Sequence, residues 1–442
     1  MKLRVPDYYK EFRCIDKDCT DTCCAGWEVD VDEEAYAYYE TVGGAFGKRL
    51  ASVMSREGGC HFILKPNKDC PFLNEKGLCD LYTELGEDKL CETCAMYPRF
   101  VEEYGSIREM GIALSCKTAA NLILTYEGKA GFETMEDGKP LTSYNDIEPE
   151  FYFALTQSRR TAYAIVQNRA YDIRERIAIL MNYAEKLQKS INVHRYSYIH
   201  EINAMYTVPG DDIYADVRTE KFDEIIAKLR RKYTDWSGHK KKSMPNACGY
   251  YNHIADLLDI FNGMEMVKGE FHEFIAKDRE LFGRMDACGA KKQHETEKHE
   301  AGQRKIKSES NGIVSDDVKS YIRHVRRFWA SYQECNIQYE HVMVYYIFRY
   351  FLKAVYDYDL LGKVKLAVTG YLMVVEMDVV RFIENDYTMK LIDQIEITHL
   401  YSREVEHSDE NFAQLEKMYG TAEEFGCDRL YRSVLASLAE LK

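Results

Sequence analysis

A mainly α fold with a cysteine-rich, metal-binding N-terminal domain is predicted by three features of this 442-residue chain. From residue 173 onward, apolar residues recur at three- and four-residue spacing, the signature of helices with one buried face. Strand-like alternation is scarce, chiefly Val29 and Val31 between acidic residues. Ten of the fourteen cysteines lie between Cys14 and Cys116, and the other four are scattered singly. That change in composition marks a boundary. The expected organisation is a cysteine domain over 1–125, a helical region over 126–288, a polar linker or insertion over 289–312 and a second helical region over 313–442.

The first residues, MKLRVPDYYKEF, are charged and lack the apolar run of a secretory signal, which points to the cytoplasm. A stable disulfide framework is not expected in that reducing compartment, where closely spaced cysteines more often hold metal. The stretch CTDTCCAGWEVDVD at 19–32 opens the question. Cys14, Cys19, Cys23 and Cys24 form C-x4-C-x3-C-C, followed by Cys70 and Cys79 in CPFLNEKGLC, the C-x2-C pair Cys91 and Cys94, and Cys116 in LSCKTAANLIL. Short loops let several sulfurs converge at little entropic cost. Cys60, in GGCHFIL, stands outside this pattern as a small apolar residue.

A zinc ribbon needs two C-x2-C knuckles and only one is present, while an iron–sulfur cluster tolerates irregular spacing. Iron–sulfur is the favoured reading, zinc the alternative, and a metal-free cysteine cluster the third. The C-x3-C-x2-C pattern of radical enzymes is absent, because position 26 is Gly26. Nine candidate ligands exceed the four thiolates that one four-iron cluster uses, so some are structural or there are two metal sites.

Between the cysteines, TVGGAFGKRL at 41–50 is the nearest thing to a phosphate-binding glycine turn. It follows no β-branched strand, so it reads as a loop and not as a dinucleotide-type fingerprint. Beyond residue 126, Ile173, Ile177, Leu180, Met181, Ala184 and Leu187 mark one helix, and Ile254, Leu257, Leu258 and Phe261 another. Val318, Tyr321, Ile322, Val325, Phe328, Trp329 and Tyr332 mark a third, with further apolar patterns at 339–358, 363–385 and 388–406. Thr421 and Glu424 form a T-x-x-E start signal for the last helix. The polar stretch 289–312, with His294 and His299, reads as a linker, and WSGHKKKSMPNACG at 236–249 as a connection between helices.

The most apolar helices carry Arg349, Lys353, Glu376 and Asp378 well within the roughly 18 to 20 residues a spanning helix needs, so no membrane insertion is expected. A net charge of −14 gives no electrostatic reason to bind nucleic acid, and the lysines at 240–242 read as a solvated loop. Thirty-four tyrosines, many at helical spacing, are expected to be core more than ligand cage.

CTDTCCAGW, CPFLNEKGLC, LGEDKLCETCAMYPR and LSCKTAANLIL, in that order, resemble the flagellin lysine-N-methylase family, whose N-terminal region belongs to the cysteine-cluster proteins of the CxxCxxCC type. The resemblance spans residues 14–124 and implies methyl transfer from S-adenosylmethionine (SAM) to flagellin lysines, with an iron–sulfur cluster in the cysteine region. A cluster iron with an open position can take the amino and carboxylate groups of SAM. Arg99, just after Cys94, is then the nearest residue to grip that carboxylate, though a surface arginine after a proline turn is an equal reading. The helical half would hold flagellin. The competing reading is a non-catalytic metal-binding or carrier protein whose helical half recruits a partner.

Overall fold

The computed structural model describes the chain except residues 16–18, 20, 24, 25, 27, 28, 145, 208–214, 234–244, 266–268, 284–315, 333, 334, 407 and 440–442. The expected linker at 289–312 with His294 and His299, the lysines at 240–242, most of the 236–249 connection, and Cys24 lie outside the described residues. The chain divides into two compact units. The first comprises Met1–Tyr144 together with two later pieces, Glu265–Phe271 and Thr398–Phe412. The second comprises Asn145–Met264, His272–Ile397 and Ala413–Lys442.

The first unit holds a four-stranded sheet that sequence patterning does not reveal. Its strands are β1 (Lys2–Pro6), β2 (Arg99–Tyr104), β3 (Ile107–Ile112) and β4 (Phe132–Glu136), in the order β2-β3-β1-β4. β1 runs parallel to β3 and antiparallel to β4. Charged residues occupy much of β2 and β3, so no clean apolar alternation announces them. They are held instead by cross-strand pairing, as where Arg4 faces Glu109 in register and bonds it at 3.0 Å. The β2–β3 turn needs glycine, since Gly105 has φ +59° and a Cβ there would fall 2.0 Å from the Tyr144 ring.

Val29 and Val31 are buried as expected, but they flank a single bridge between Asp30 and His61 and are not part of a longer strand. The 41–50 stretch is a helix, not a loop: Gly44–Val53 follows the helix Glu33–Thr41, which Asp32 caps by accepting from the Ala35 N–H at 2.8 Å. Burial of Leu50 outweighs the low helix propensity of its glycines. Gly47 is required there, because a Cβ would sit 1.8 Å from the Val42 carbonyl oxygen. With a helix in front of it, this segment lacks the strand of a nucleotide-binding turn.

The second unit is helical. Its longest helix, Leu360–Glu384, is buried nearly all round and packs against Ile173–Ile191 and Cys335–Tyr350. The helices expected near 173–187, 254–261 and 318–332 are Ile173–Ile191, Pro245–Asn262 and Asp316–Ser331. The 339–358 pattern is broken after Tyr350 by a short 3-10 turn, and Tyr358 adopts a left-handed φ of +59°. A true capping box starts Ile173–Ile191, where Asp172 accepts from the Arg174 N–H at 3.0 Å and Glu175 from the Asp172 N–H at 3.1 Å. The expected box at Thr421 does not form. Thr421 ends the helix Asp409–Thr421, its hydroxyl donating back to the Lys417 carbonyl, and the last helix begins at Cys427.

Tyrosine supplies the largest fully buried side chains, including Tyr321, Tyr339, Tyr346, Tyr371 and Tyr431. Two of these hydroxyls donate to buried carboxylates, Tyr321 to Glu376 at 2.5 Å and Tyr339 to Asp378 at 2.6 Å. These residues are core. Among the described residues, no helix is long and apolar enough to cross a membrane.

Buried His253 is bonded by Nδ1 to the Ser433 hydroxyl at 2.5 Å and by Nε2 to the Glu424 carbonyl at 2.7 Å. Burial pushes its pKa down from 6.5 to about 4, so the native ring is neutral. The unfolded chain takes up the proton first, and this stabilisation is complete above pH 6.5 and is lost as pH falls toward 4. Between pH 7 and 4.5 wild type should lose about 2 to 3 kcal/mol more than His253→Gln. Urea unfolding at both pH values checks this, and equal losses in the two proteins would rule it out.

Candidate functional site

The candidate ligands fall into two neighbourhoods within the first unit. Cys70 and Cys91 are buried in a core with Val29, Val31, Tyr36, Tyr39, Leu50, Phe62, Phe72, Leu73 and Leu81, and Cys79 and Cys94 pack against it. Their approach is made by local folding. Asn74 accepts from the N–H groups of Lys76 and Leu78, Gly77 takes φ +74°, and the bridge between Leu73 and Cys79 turns the segment back on itself. Cys91 precedes the short helix Glu92–Met96, which carries Cys94 one turn on.

Cys91 and Cys94 share a hydrogen bond that favours the Cys91 thiolate, lowering its pKa and raising that of Cys94. Burial and the charges of Cys91, Cys70 and Cys79 raise Cys94 further, which places those three sulfurs within electrostatic reach of Cys94. The sequence motif CPFLNEKGLC and the C-x2-C pair therefore belong to one group.

The second neighbourhood joins sequence-distant cysteines. Cys14, Cys19 and Cys23 are exposed, while Cys116 is partly buried at the start of the helix Lys117–Leu124. Burial pushes the Cys116 thiol up to about 11; the helix N–H groups of Ala119 and Thr118 oppose that rise, and the charges of Cys19 and Cys23 add to it. Partial desolvation by the surrounding chain also raises Cys19, exposed though it is, and the charges of Asp21, Cys23 and Cys14 add to the rise. Tyr97, which donates to the Ser115 carbonyl at 2.9 Å, stands beside Cys116 and Cys23. Among the described residues, no three Cys, His, Asp or Glu side chains converge tightly enough to enclose a metal ion. Thiol is a donor type that iron–sulfur clusters and zinc both take.

Arg99 is the first residue of β2, its guanidinium lying 5.2 Å from the centre of the Phe12 ring. Cys60 packs against the same core as Cys79 and Cys94, its thiol 3.4 Å from a Glu33 carboxylate oxygen. Spacing alone misses three residues around the Cys19–Cys23 loop. Asp21 is bonded by His399 at 2.5 Å and Arg403 at 3.2 Å, from a helix, Leu391–Glu406, that lies 378 positions away in the chain. No local pattern signals a partner at that separation.

Comparison with known proteins adds the identity. The family model described as the FliB lysine N-methylase C-terminal domain matches residues 159–431, more than half of the chain, and this span includes His399 and Arg403. The chain is 27% identical over 126 residues to the flagellar biosynthetic protein FliU of Salmonella muenchen, covering 27% of this chain and 75% of that protein. It is 26% identical over 126 residues to the lysine-N-methylases of Salmonella typhimurium and Salmonella choleraesuis, covering 27% of this chain. That alignment spans only 31% of each of those two relatives. No solved structure matches the chain. A match running through the helical unit and into the segment that grips Asp21 makes this chain a member of the FliB lysine N-methylase family.

Proposed function

We propose that the protein transfers methyl groups from SAM to the ε-amines of flagellin lysines, using a thiolate-held iron–sulfur cluster, with zinc as the alternative metal. The observation that carries the reading is the family match over 159–431, beside cysteines grouped in two sets of four. Cys70, Cys79, Cys91 and Cys94 would hold one centre; Cys14, Cys19, Cys23 and Cys116, with Cys24, supply the remaining donors. A cluster held by only three of these thiolates would leave one iron open for the amino and carboxylate groups of SAM. Arg99 would pair with the carboxylate, its guanidinium plane steadied on Phe12.

The acceptor lysine must be neutral to attack. With a free pKa of about 10.4, only about one lysine in a few thousand is unprotonated near pH 7, so the site must desolvate the amine or take its proton. The helical second unit is the part assigned to holding flagellin, a substrate that needs an extended surface more than a closed pocket. The reaction is placed in the cytoplasm.

Anaerobically prepared full-length protein, incubated with SAM and flagellin, should add methyl groups to flagellin lysines countable by mass spectrometry. Visible charge-transfer absorption should accompany the activity. An intact metal centre with SAM present and no lysine methylation would reject the methylase reading and leave the carrier reading standing. Zinc alone in the metal analysis, with no visible absorption, would reject the iron assignment.

A further inference from the structure

Asp21 lies between Cys19 and Cys23 and is engaged at both ends. Its backbone carbonyl accepts from the Cys19 thiol at 2.7 Å, while its carboxylate accepts from His399 Nε2 at 2.5 Å and from Arg403 at 3.2 Å. One residue thus connects a helix near the C-terminal end of the sequence to a candidate ligand near the other. We propose that His399 and Arg403 are positioning residues for the Cys19–Cys23 thiol loop, acting through Asp21; the proposal rests on the metal-binding reading above.

The anchor is itself firmly held. His399 and Arg403 are almost wholly buried, and Arg403 also bonds Glu270 and Glu404. Asn411 accepts from the Glu265 N–H at 3.0 Å and donates to the carbonyls of Glu265 and Glu404, tying the two later pieces of the first unit together. The loop, by contrast, has no regular structure at Cys19, Asp21, Thr22 or Cys23. A coordinating thiol on such a segment needs its backbone fixed from outside, as carboxylate and histidine partners fix metal ligands in general.

The charges decide between two roles for Arg403. It faces the carboxylates of Asp21, Glu270 and Glu404, so its positive charge is already more than matched. It has none to spare for thiolates. What it supplies is placement, carried from the Asp21 carboxylate along the backbone to Cys19, whose thiol gives up its bond to the Asp21 carbonyl on losing its proton to bind metal.

The test uses the full chain, with Asp21→Ala, Arg403→Gln and Arg403→Lys beside wild type. In reconstituted protein, release of metal to a chelator should be about 10- to 100-fold faster in Asp21→Ala and Arg403→Gln. Arg403→Lys, which keeps the contact to Asp21, should recover part of the difference. In metal-free protein, site-resolved alkylation should speed several-fold at Cys19 and Cys23 and stay unchanged at Cys91 and Cys94. That selectivity separates positioning from general loosening of the fold, and Asp21→Ala, at a partly exposed site, serves if Arg403→Gln does not fold. Unchanged alkylation at Cys19 and Cys23 in a folded Asp21→Ala protein would overturn the proposal, as would equal acceleration at all four cysteines. A wild type that binds no metal would instead defeat the metal reading, while the alkylation result still decides the role of the anchor.

Discussion

Replacing Cys91 and Cys94 together with serine is expected to strip metal from the chain and collapse the first unit. Cys91 is fully buried in the core that also contains Cys70, and Cys94 bonds it from one turn away. Serine keeps the size but is a poor ligand for zinc or iron, and it puts hydroxyls where a polarizable sulfur packed. Structural thiolate-held metal contributes on the order of 10 kcal/mol of folding free energy in small domains, so the loss should exceed any single packing defect. Elemental analysis and calorimetry are the measurements. Cys60→Ser is the control, since Cys60 stands outside the cysteine spacing pattern with its thiol on Glu33, and it should keep its metal. A double variant with wild-type metal content and an unchanged melting profile would show that these sulfurs hold nothing.

Removing the Glu340 carboxylate should be the most damaging single change in the helical unit. Glu340 is fully buried and bonded by two arginines, Arg169 at 2.8 Å and Arg176 at 2.5 Å. Glu340→Leu leaves both guanidinium groups without their anion, that of Arg176 deep in the core, so about 3 to 5 kcal/mol of stability should be lost. Asp378→Asn, at an equally buried carboxyl, should cost less than about 1 kcal/mol at pH 7. Burial raises the Asp378 pKa well above the usual carboxylate range, against the opposing bonds from Tyr339 and Gln394. Its stabilisation is therefore complete below the unfolded pKa and declines as pH rises through the native one. An uncharged amide removes that dependence. Urea unfolding measures both variants; equal losses for Glu340→Leu and Asp378→Asn would show that charge pairing is not what distinguishes these two sites.

The helices were legible because their apolar stripes repeat: Ile173, Ile177, Leu180, Ala184 and Leu187 are all buried on Ile173–Ile191. The sheet was not, because RFVEEY and IREMGI show little alternation and owe their strand state to neighbours supplied by residues 2–6 and 132–136. Thr421 misled because a hydroxyl that can cap a following helix can equally close the preceding one. Among the thiols, Cys91 and Cys94 announce themselves by spacing. The grouping of Cys116 with Cys14, Cys19 and Cys23 is set by tertiary folding across about a hundred residues and has no local trace. The same holds for His399 and Arg403, whose significance comes only from meeting Asp21.

The Asp21 anchor also imposes a timetable. His399 is made 378 residues after Asp21. At roughly 5 to 20 residues per second, a ribosome takes about 20 to 75 seconds to cover that distance. Throughout that interval the Cys19–Cys23 loop is already synthesised but lacks the helix that fixes it, whereas the turn and helix carrying Cys70, Cys79, Cys91 and Cys94 are complete by residue 96. The two thiol groups therefore become competent at different moments in the life of the nascent chain. The later-finished group, with Cys14, Cys19 and Cys23 exposed, is the one open to oxidation while translation is still under way.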